Sequence, residues 1–339
     1  MKAITITRHG GPEVLTVKEA PDPEPGPGEV CIDVAFAGLN FAEVMARKGL
    51  YPDAPKPPCV VGYEVSGTVR SVGNEVSEVK PGDRVAALTR FGGHASVVCV
   101  PEMQVLRIPD AMPLETAAAI PVVYLTAWHM LFRVANLQPG MHVLVHMAAG
   151  GVGTAALQLC QTVADVITCG TASPGKHDYV REQGCTHPID YRNRDYAAEV
   201  RKLTDGRGVD IVLDPLGGGD WRKGYALLAP AGHLVAFGFA NADAGETRKL
   251  LHLLRQFLAV PRFSPLRLMD DNRSVSGVNM GHLWNETEML RNELQEVLKL
   301  WEAGAVRPHI DSVWTFEEAA RAHGRLEKRK NVGKVLLQP

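Results

Sequence analysis

A glycine-rich segment between an apolar stretch and a helical stretch is the clearest chemical signal in the sequence. Residues 143–146 read Val-Leu-Val-His and lead into Met-Ala-Ala-Gly-Gly-Val-Gly, which ends at Gly153. In the pattern G-x-G-x-x-G, the three fixed positions fall on Ala148, Gly150 and Gly153, so alanine replaces the first glycine. Gly150 would let the backbone approach a pyrophosphate, and Gly153 would let helix and strand pack closely. The strand, turn and helix predict a dinucleotide site at a helix N-terminus.

The segment after the next predicted strand indicates which dinucleotide is bound. An NAD enzyme carries Asp or Glu there, about 20 residues after the start of the glycine pattern, to bond the ribose 2′-hydroxyl. Residues 169–176 instead read Cys-Gly-Thr-Ala-Ser-Pro-Gly-Lys, without a carboxylate. Ser173 and Lys176 offer a donor and a cation that suit a 2′-phosphate. Lys176 alone could be a solvated lysine at a helix start, but together with the missing acid it predicts NADPH.

Composition and charge exclude several classes of protein. The 339 residues contain 36 Lys and Arg against 38 Asp and Glu, a formal net charge of −2 at pH 7. This balance leaves no basic surplus for a phosphate backbone, so we expect no nucleic-acid partner. Hydrophobic residues make up 45% of the chain, which is enough apolar material for a folded protein, and the length suits two domains.

Cysteine spacing and the first residues bear on location. The cysteines are Cys31, Cys59, Cys99, Cys160, Cys169 and Cys185. They form no C-x-x-C pair, which excludes a zinc finger and is typical of reduced thiols in a cytosolic protein. Residues 1–11 contain no apolar signal region, and no apolar run reaches the roughly 18 residues that span a membrane. We therefore expect a cytoplasmic protein without a membrane span.

Strand and helix patterns divide the chain into two kinds of domain. The first 120 residues read as short β segments broken by Gly and Pro, including a hairpin of Lys2–Thr7 and Leu15–Glu19 and a strand over Val60–Val72. They predict a small barrel-like β domain. From Pro121 onward apolar strands alternate with helices, which predicts a doubly wound domain with a parallel sheet. The strands expected there are 142–146, 165–169, 209–214, 233–237 and 274–280. The predicted domain limits are 1–122, 123–282 and 283–339, with the last segment returning to the first domain.

Several motifs together resemble the zinc-independent medium-chain dehydrogenase/reductase family, in its quinone oxidoreductase group. The matching segments begin at Gly38 (GLNFAEV), Arg47 (RKGLYP), Gly62 (GYEVSG), Gly82 (GDRV) and Ala118 (AAIPVVYLTA), besides the glycine pattern. Within that group the chain is most similar to the vesicle amine transport protein-like branch. The segments behind this closer similarity begin at His146 (HMAAGGVG), Gly170 (GTAS), Thr186 (THPIDY), Asp214 (DPLGG), Pro308 (PHIDSVW) and Lys330 (KNVGKVL). The similarity extends over essentially the whole chain.

The resemblance implies a fold and a reaction. The fold is α/β: a GroES-like β-barrel domain packed against a doubly wound Rossmann domain, with the active site in the cleft. The reaction is NADPH-dependent transfer of hydride to a quinone or an α,β-unsaturated carbonyl, followed by a proton from Tyr51 or water. A homodimer paired through the edge strand within 273–280 is also implied. The alternative from another class is an NADPH-binding adaptor or membrane-associated protein with little catalysis, and a zinc alcohol dehydrogenase is the third choice.

The resemblance also assigns site residues by position. Asn40 and Tyr51 are the catalytic candidates. The cofactor-binding candidates are Asn40, Thr126, Ala149, Gly150, Gly151, Val152, Gly153, Thr171, Ser173, Lys176, Tyr191, Phe237, Gly238, Phe239 and Asn331. The glycine turn would hold the pyrophosphate, and Ser173, Lys176 and Tyr191 would surround the adenosine phosphate. Asn40 and Thr126 would lie at the nicotinamide end, Phe237–Phe239 would flank that ring, and Asn331 would close the other side of the cofactor.

Two of these residues have a structural interpretation as well. Tyr51 is either a proton donor or an aromatic wall for a flat quinone, and the wall is preferred because an ordinary phenol is a weak acid. Asn40 is a hydrogen-bond donor to ribose or substrate, the cap of the helix that starts at Phe41, or both. Asp214 ends a predicted strand and is interpreted as a loop anchor.

The residues that hold zinc in related enzymes are replaced. Leu39 and Asn40 stand where the first cysteine ligand would be, and Tyr63 stands in place of the histidine of a Gly-His-Glu motif. Glu64 alone cannot make a zinc site, which needs at least three protein ligands. We therefore expect no metal.

One apolar stripe has no assigned partner. Leu250, Leu253, Leu254, Phe257 and Leu258 share one face of a predicted helix, and Arg248, Lys249 and Arg255 lie off it. The stripe predicts packing on the protein's own core or on a second subunit. The alternative is peripheral contact with a membrane surface.

Overall fold

The structure, a computed structural model, describes residues 1–243 and 250–339, and for Leu250 it describes the backbone alone. Arg248 and Lys249, expected beside the apolar stripe, lie outside the described residues. The strands are β1 Lys2–Ile6, β2 Leu15–Glu19, β3 Glu29–Leu39, β4 Cys59–Val60, β5 Glu64–Val72, β6 Arg84–Leu88, β7 Val97–Pro101, β8 Val105–Arg107, β9 His142–Val145, β10 Ile167–Ala172, β11 His187–Asp190, β12 Val209–Asp214, β13 Leu228–Ala236, β14 Ser274–Gly277, β15 Ile310–Thr315 and β16 Lys334–Gln338.

The helices lie between these strands. They are α1 Phe41–Arg47, α2 Leu114–Ala118, α3 Pro121–Trp128, α4 Gly151–Cys160, α5 His177–Glu182, α6 Tyr196–Leu203, α7 Gly219–Ala226, α8 Leu250–Leu258, α9 Pro265–Asp271, α10 Thr287–Glu302 and α11 Ala319–Glu327. Two units contain all of these elements. The first consists of Met1–Leu125, Gly281–Ala303 and Pro308–Pro339, and the second of Thr126–Met280 and Gly304–Arg307.

Residues 304–307 belong to the second unit for a local reason. The backbone N–H of Arg307 donates to Oε1 of Gln158 at 2.8 Å, and Nε2 of Gln158 donates to the carbonyl of Arg307 at 2.8 Å. A glutamine in the last turn of α4 therefore binds this short segment.

Strand β3 is the centre of the larger sheet in the first unit. One edge pairs with β5, and the other is shared, because residues 29–33 pair with β7 and residues 37–39 pair with β16. The sheet order is β15-β16-β3-β5-β6-β8, with β7 beside β3. Val30, Ile32 and Val34 alternate along β3 and are buried, as expected for a strand with one face on the core. The first predicted hairpin is confirmed, since β1 and β2 pair antiparallel.

Gly62 divides a segment that was predicted as the single strand Val60–Val72. The structure has β4 in a small sheet with β1 and β2, whereas β5 belongs to the larger sheet. Gly62 has a φ of 114°, and a Cβ at this position would lie 2.5 Å from the backbone nitrogen of His94. Only glycine adopts this conformation readily, so the chain turns sharply here from one sheet into the other.

The second unit contains the predicted parallel sheet. Its order is β11-β10-β9-β12-β13-β14, and every pairing is parallel. The central strands are apolar and buried, as in Val143–Val145 and Ile211–Leu213, because helices cover both faces of such sheets. The chain order reverses at β9, which pairs with both β10 and β12. Ligands bind at such switch points, outside the carboxyl ends of the strands.

Three of the buried histidines, His94, His146 and His323, share a lowered pKa. His94 and His323 lie in the first unit with ring centroids 6.4 Å apart, and His146 lies in the second. Burial lowers the pKa of His94 and of His146 to about 4 and holds the pKa of His323 well below its usual range. Among the described residues, neither ring nitrogen of His323 has a hydrogen-bond partner. These imidazoles are therefore neutral in the folded protein at neutral pH.

We predict that acid destabilises the fold through these histidines. The unfolded chain takes up a proton near pH 6.5 and the folded chain only near pH 4 or below, so their contribution is complete above pH 6.5 and is lost as the pH falls toward 4. His323→Leu should reduce the slope of unfolding free energy against pH by about 1.4 kcal/mol per pH unit in that window. Urea unfolding at several pH values measures it.

The exposed His9 provides the control, because its ring is not buried in the fold. His9→Leu should leave the slope unchanged. An unchanged slope in His323→Leu as well would show that His323 does not carry the acid sensitivity.

Candidate functional site

The glycine turn begins where β9 ends, at the switch point of the sheet. Met147 has a φ of 52°, and Gly150 is the N-cap of α4. Ala148, at the position of the usual first glycine, donates its N–H to the carbonyl of Thr171 at 3.0 Å. Its Cβ lies only 3.0 Å from the place where a Cβ on Gly170 would be. The alanine is therefore accommodated because the neighbouring strand β10 carries a glycine opposite it.

Helix α4 packs directly on this turn. A Cβ on Gly153 would lie 2.5 Å from the carbonyl oxygen of Met147 and 2.7 Å from the carbonyl carbon of Ala148. In the first turn of an α-helix the N–H groups have no acceptor within the helix, and here they belong to Gly151–Gly153. Together with the positive end of the helix dipole, they fit a pyrophosphate. The side chain of Val152 and the buried Ala149 complete the turn.

The predicted phosphate residues follow two neighbouring parallel strands. Ala172, the last residue of β10, pairs in register with Asp190, the last residue of β11. Ser173 and Lys176 follow β10 and are half-buried, and Tyr191 follows β11 and is exposed. The structure thus brings these three residues to the carboxyl ends of β10 and β11, which lie at the same edge of the sheet.

Two side chains near this edge have other roles. The hydroxyl of Thr171 accepts the N–H of Met147 at 3.2 Å and contacts Nδ1 of His146 at the same distance. Thr171 therefore fixes the two residues that lead from β9 into the glycine turn. Asp190, a carboxylate that the sequence analysis did not consider, accepts from Nδ2 of Asn193 at 2.7 Å and from the N–H of Arg192 at 3.0 Å. The bond from Asn193 holds the pKa of Asp190 below its usual value.

The segment after β13 carries the aromatic candidates. The N–H of Phe237 donates to the carbonyl of Asp214 at 3.1 Å, and a Cβ on Gly238 would lie 2.9 Å from the carbonyl of Pro215. The ring of Phe239 stacks on Trp221, with centroids 5.6 Å apart, and meets Phe257 edge-on at 5.1 Å. Phe239 is therefore held by α7 and α8.

Asp214 anchors the neighbouring loop, as the sequence predicted. Its Oδ1 accepts the N–H groups of Leu216 at 2.6 Å and of Gly217 at 3.2 Å. The side chain is fully buried, and burial raises the pKa of Asp214 to about 7.

In the first unit, Asn40 lies in a buried polar network. It is the N-cap of α1, and its backbone N–H donates to Oε2 of Glu43 at 2.7 Å. Its side-chain Oδ1 accepts from Nζ of Lys334 at 2.6 Å, and its Nδ2 donates to Oε1 of Glu64 at 3.0 Å. Both ends of the amide are thus engaged by the protein. The capping role is confirmed, whereas the catalytic role stays a prediction.

Glu64 joins the other members of this network. Its Oε1 forms an ion pair with Lys334, and its Oε2 accepts the N–H of Val122, in the first turn of α3, at 2.7 Å. Both partners of the ion pair are buried, with the Glu64 side chain at 0% and the Lys334 side chain at 3% exposure. A Cβ on Gly38 would lie 2.3 Å from Oε1 of Glu64. Glycine at position 38 is therefore required for the carboxylate to reach Asn40.

Glu43 was missed by the sequence analysis and is the unusual acid of this network. Burial raises the pKa of Glu43 to about 8, so it keeps its proton at neutral pH. The signal was available, because a glutamate three residues after an N-cap asparagine forms a capping box. Lys334 was also missed as a site residue. A lysine at the start of the apolar strand Lys-Val-Leu-Leu could have indicated a buried charge that needs a partner.

Tyr51 lies against the ring of Tyr63, which in turn contacts a third aromatic ring. Its ring meets Tyr63 edge-on with centroids 6.3 Å apart, and Tyr63 packs on Phe91 at 5.4 Å. Burial raises the pKa of Tyr51, so its phenol stays protonated at neutral pH and remains a hydrogen-bond donor. The remaining candidates are distributed between the units: Thr126 is buried in α3 and belongs to the second, while Asn331 belongs to the first and donates to the carbonyl of Gly333 at 3.1 Å.

Residues 1–243 and 250–339 contain neither a metal-binding cluster nor a membrane-spanning helix. No group of three or more His, Cys, Asp or Glu side chains in these residues could hold a metal ion. None of their helices has the combination of length and apolar character needed to cross a bilayer.

We predict that the buried ion pair depends on both of its partners. Lys334→Met keeps the length of the side chain but leaves the Glu64 carboxylate uncompensated, which should cost about 3–5 kcal/mol of unfolding free energy. Adding Glu64→Gln to that variant should restore part of the loss, because the orphan charge is removed. Urea unfolding followed by circular dichroism measures both changes.

Lys2 gives a matched control, since its ion pair with Glu317 lies on the surface, with side chains 50% and 55% exposed. Lys2→Met should have no comparable effect, because exposed pairs contribute little. A Lys334→Met variant as stable as Lys2→Met would contradict the role assigned to the network.

Comparisons with known proteins agree with this fold and turn. The family model described as the alcohol dehydrogenase GroES-like domain matches residues 26–110, and the model described as zinc-binding dehydrogenase matches residues 183–337. The synaptic vesicle membrane protein VAT-1 homolog of Homo sapiens is 46% identical over 341 residues, covering 100% of this chain and 86% of that protein. A quinone oxidoreductase of Pseudomonas aeruginosa is 34% identical over 339 residues, covering 100% and 99%.

A solved structure extends the comparison to three dimensions. The Escherichia coli quinone oxidoreductase complexed with NADPH superimposes with a TM-score of 0.87 at 28% identity, covering 100% of both chains. The fold is thus a GroES-like domain with a parallel-stranded Rossmann domain, and that prediction is confirmed. The chain belongs to the medium-chain dehydrogenase/reductase family, where it falls among the quinone oxidoreductase-like proteins and, more narrowly, with the VAT-1-like ones.

Proposed function

We propose that the chain is an NADPH-dependent reductase that transfers hydride to a quinone or an α,β-unsaturated carbonyl. The observation that carries the proposal is the glycine turn at the switch point, followed at the next strand end by Ser173 and Lys176 instead of a carboxylate. The relatives named as quinone oxidoreductases and the NADPH complex of one of them support the same function.

The residues of the chain would divide the work as follows. NADPH, when bound, supplies the hydride. The N-terminus of α4 would bind the pyrophosphate, Ser173 and Lys176 would hold the 2′-phosphate, and Tyr191 would contribute to the adenosine end of the site. Tyr51 presents a protonated phenol or an aromatic wall to the substrate. In both interpretations the protein mainly positions the reactants and excludes water, while the cofactor carries the chemistry.

The roles proposed for the other candidates are narrower. Thr126 and Asn40 are placed at the nicotinamide end, with Phe237–Phe239 as its aromatic flank and Asn331 on the opposite side. Since the Asn40 amide is engaged by Lys334 and Glu64, we propose that it acts mainly by fixing the start of α1. Zinc has no part in the proposal, because Asn40 and Tyr63 occupy positions of the zinc ligands in related enzymes.

The proposal is tested by NADPH oxidation with a panel of quinones and enones. We expect turnover with at least one acceptor and the same rate after treatment with a chelator. Stoichiometric zinc lost together with activity would contradict the metal-free mechanism. Tight NADPH binding without turnover on any acceptor would favour the alternative, an NADPH-binding adaptor, which the names of the VAT-1 relatives motivate.

Lys176→Ala tests the cofactor preference. Loss of one charge-assisted contact should weaken NADPH binding by about 1.5–3 kcal/mol, roughly a 10- to 150-fold rise in Kd, and leave NADH binding nearly unchanged. Isothermal titration with both cofactors measures it. Arg181, which pairs with Asp178 on the exposed face of α5, gives the control variant Arg181→Ala. Equal losses for NADPH and NADH would show that Lys176 does not read the phosphate.

We also propose a homodimer through β14, the last strand in the order of the second unit's sheet. The N–H of Val278 donates to the carbonyl of Ala236, so by alternation the N–H of Val275 points away from β13 toward the free edge, where none of the described strands pairs with β14. In the same unit, α8 exposes Leu251 and Leu258 at 82% and 78%, and a second subunit or a membrane surface would cover them. The proposed location is the cytoplasm, supported by the six free thiols.

Light scattering tests the dimer. Val275→Pro removes an N–H of the free edge and should dissociate a dimer without unfolding the subunit, whereas Ser276→Pro removes a bond to β13 and should destabilise the subunit itself. A wild-type mass near 36.8 kDa at micromolar concentration would exclude the dimer. A dimer that persists in Val275→Pro would place the contact elsewhere.

A further inference from the structure

Two cysteines that are far apart in the sequence lie directly opposite each other in the first unit. Strands β3 and β7 pair antiparallel, and their register places Cys31 opposite Cys99. Both thiols are free in the structure. Cysteine spacing along the chain does not indicate this pair, because strand register brings the two residues together.

The backbone hydrogen bonds define the kind of position that the pair occupies. The N–H of Glu102 donates to the carbonyl of Gly28 at 2.9 Å, and the N–H of Val34 donates to the carbonyl of Ser96 at 3.0 Å. In an antiparallel ladder, hydrogen-bonded and non-hydrogen-bonded pairs alternate. The two bonds show that residues 28 and 102 and residues 34 and 96 are hydrogen-bonded pairs. By alternation between them, residues 30 and 100 and residues 32 and 98 are also hydrogen-bonded pairs. Cys31 and Cys99 therefore form a non-hydrogen-bonded pair.

This geometry is compatible with a disulfide. In non-hydrogen-bonded pairs the Cα atoms lie about 4.5 Å apart and the side chains stand on the same face of the sheet. A disulfide needs Cα atoms about 4.4–6.8 Å apart. A bond between Cys31 and Cys99 therefore requires rotation of the two side chains and little movement of the backbone.

The surroundings determine which thiol reacts first. Cys31 is fully buried, with its Sγ 3.7 Å from the carbonyl of Pro23, whereas Cys99 is half-buried. Burial, together with a hydrogen bond to the Cys31 thiol, raises the pKa of Cys99 to about 12. Because the thiolate is the nucleophile, oxidation of the pair is slow at neutral pH and the reduced pair is the resting form.

We propose that Cys31 and Cys99 are a redox-responsive pair that small disulfides such as oxidised glutathione convert into a cross-strand disulfide between β3 and β7. Cys99 attacks one sulfur of the oxidant, and the first glutathione leaves with a proton. Cys31 then attacks the Cys99 sulfur of the mixed disulfide, and the second glutathione leaves with the other thiol proton. The protein loses two electrons and two protons, and the oxidant gains both. This inference does not depend on the proposed reductase activity.

The other cysteines provide internal controls. Cys160, Cys169 and Cys185 are buried in the second unit, at 1%, 1% and 4% exposure, and are shielded from an oxidant of the size of glutathione. Cys59 is half-buried like Cys99, but it lies on β4, outside the β3–β7 ladder. Exposure alone would thus treat Cys59 and Cys99 alike, whereas a resolving partner distinguishes Cys99.

The experiment treats the reduced full chain with oxidised glutathione, alkylates the remaining thiols after denaturation, and maps the products by mass spectrometry. We expect a loss of two of the six alkylatable thiols and a peptide pair that joins Cys31 to Cys99. Below the pKa of Cys99 the rate should rise about tenfold per pH unit from pH 7 to pH 9. Cys31→Ser should retain glutathione on Cys99, and Cys59→Ser should form the 31–99 bond at the wild-type rate.

Other results would overturn the proposal. A stable glutathione adduct on Cys99 of the wild-type chain, with Cys31 still alkylatable, would show that the two sulfurs cannot meet. A disulfide that joins other cysteines, or no loss of thiols at any pH while the urea-unfolded chain is oxidised, would also contradict it. Because the main readout uses the wild-type chain, a variant that fails to fold does not affect the test.

Discussion

A buried ammonium group is the constraint on which much of the first unit depends. Lys334 is 3% exposed, and a charge in that position is tolerated only with close compensation. Glu64 and the side-chain oxygen of Asn40 supply it. The three residues lie on β16, on β5 and at the start of α1, so the end of the chain is tied to two early segments. The same carboxylate accepts the N–H of Val122 and so fixes the start of α3, the helix that carries Thr126.

Strand β3 makes this arrangement compatible with a sheet. Its carboxyl-terminal part pairs with β16, which brings Lys334 next to Asn40, and its first part pairs with β7, which brings Cys99 opposite Cys31. One strand edge therefore supports both the polar network and the proposed redox pair. The close approach of Glu64 also requires Gly38, since a side chain there would collide with the carboxylate.

In the second unit, packing at the glycine turn explains a departure from the usual pattern. The first glycine of a dinucleotide fingerprint keeps a tight turn free of side chains. Here Ala148 occupies that position and Gly170 on the adjacent strand lacks the side chain that would collide with it. The glycine that leaves this space open is on the neighbouring strand, and Gly153 still allows α4 to pack on the turn. The anion-binding end of the helix is thus preserved with a changed sequence pattern.

Local patterns in the sequence were enough to predict several features of the fold. Alternation and turn residues predicted the β1–β2 hairpin, the parallel sheet and the strand–turn–helix around Gly150, because these depend on neighbouring residues and on the period of apolar side chains. Family motifs then located the candidates for the cofactor. The chemical roles of these candidates rest on the resemblance.

Contacts between residues that are distant in the chain could be identified only from the folded structure. Three contacts join segments that are far apart in the chain: residues 304–307 bind Gln158, Lys334 pairs with Glu64, and Cys31 lies opposite Cys99. The break of residues 60–72 at Gly62 has the same kind of cause, since it depends on the close approach of His94. A period of two or 3.6 residues shows which face of an element is buried but not what lies against it. Those contacts depend on strand order and register, which are fixed only when the whole sheet forms. A buried charge that needs its partner, or a glycine in close contact, then allows a single register.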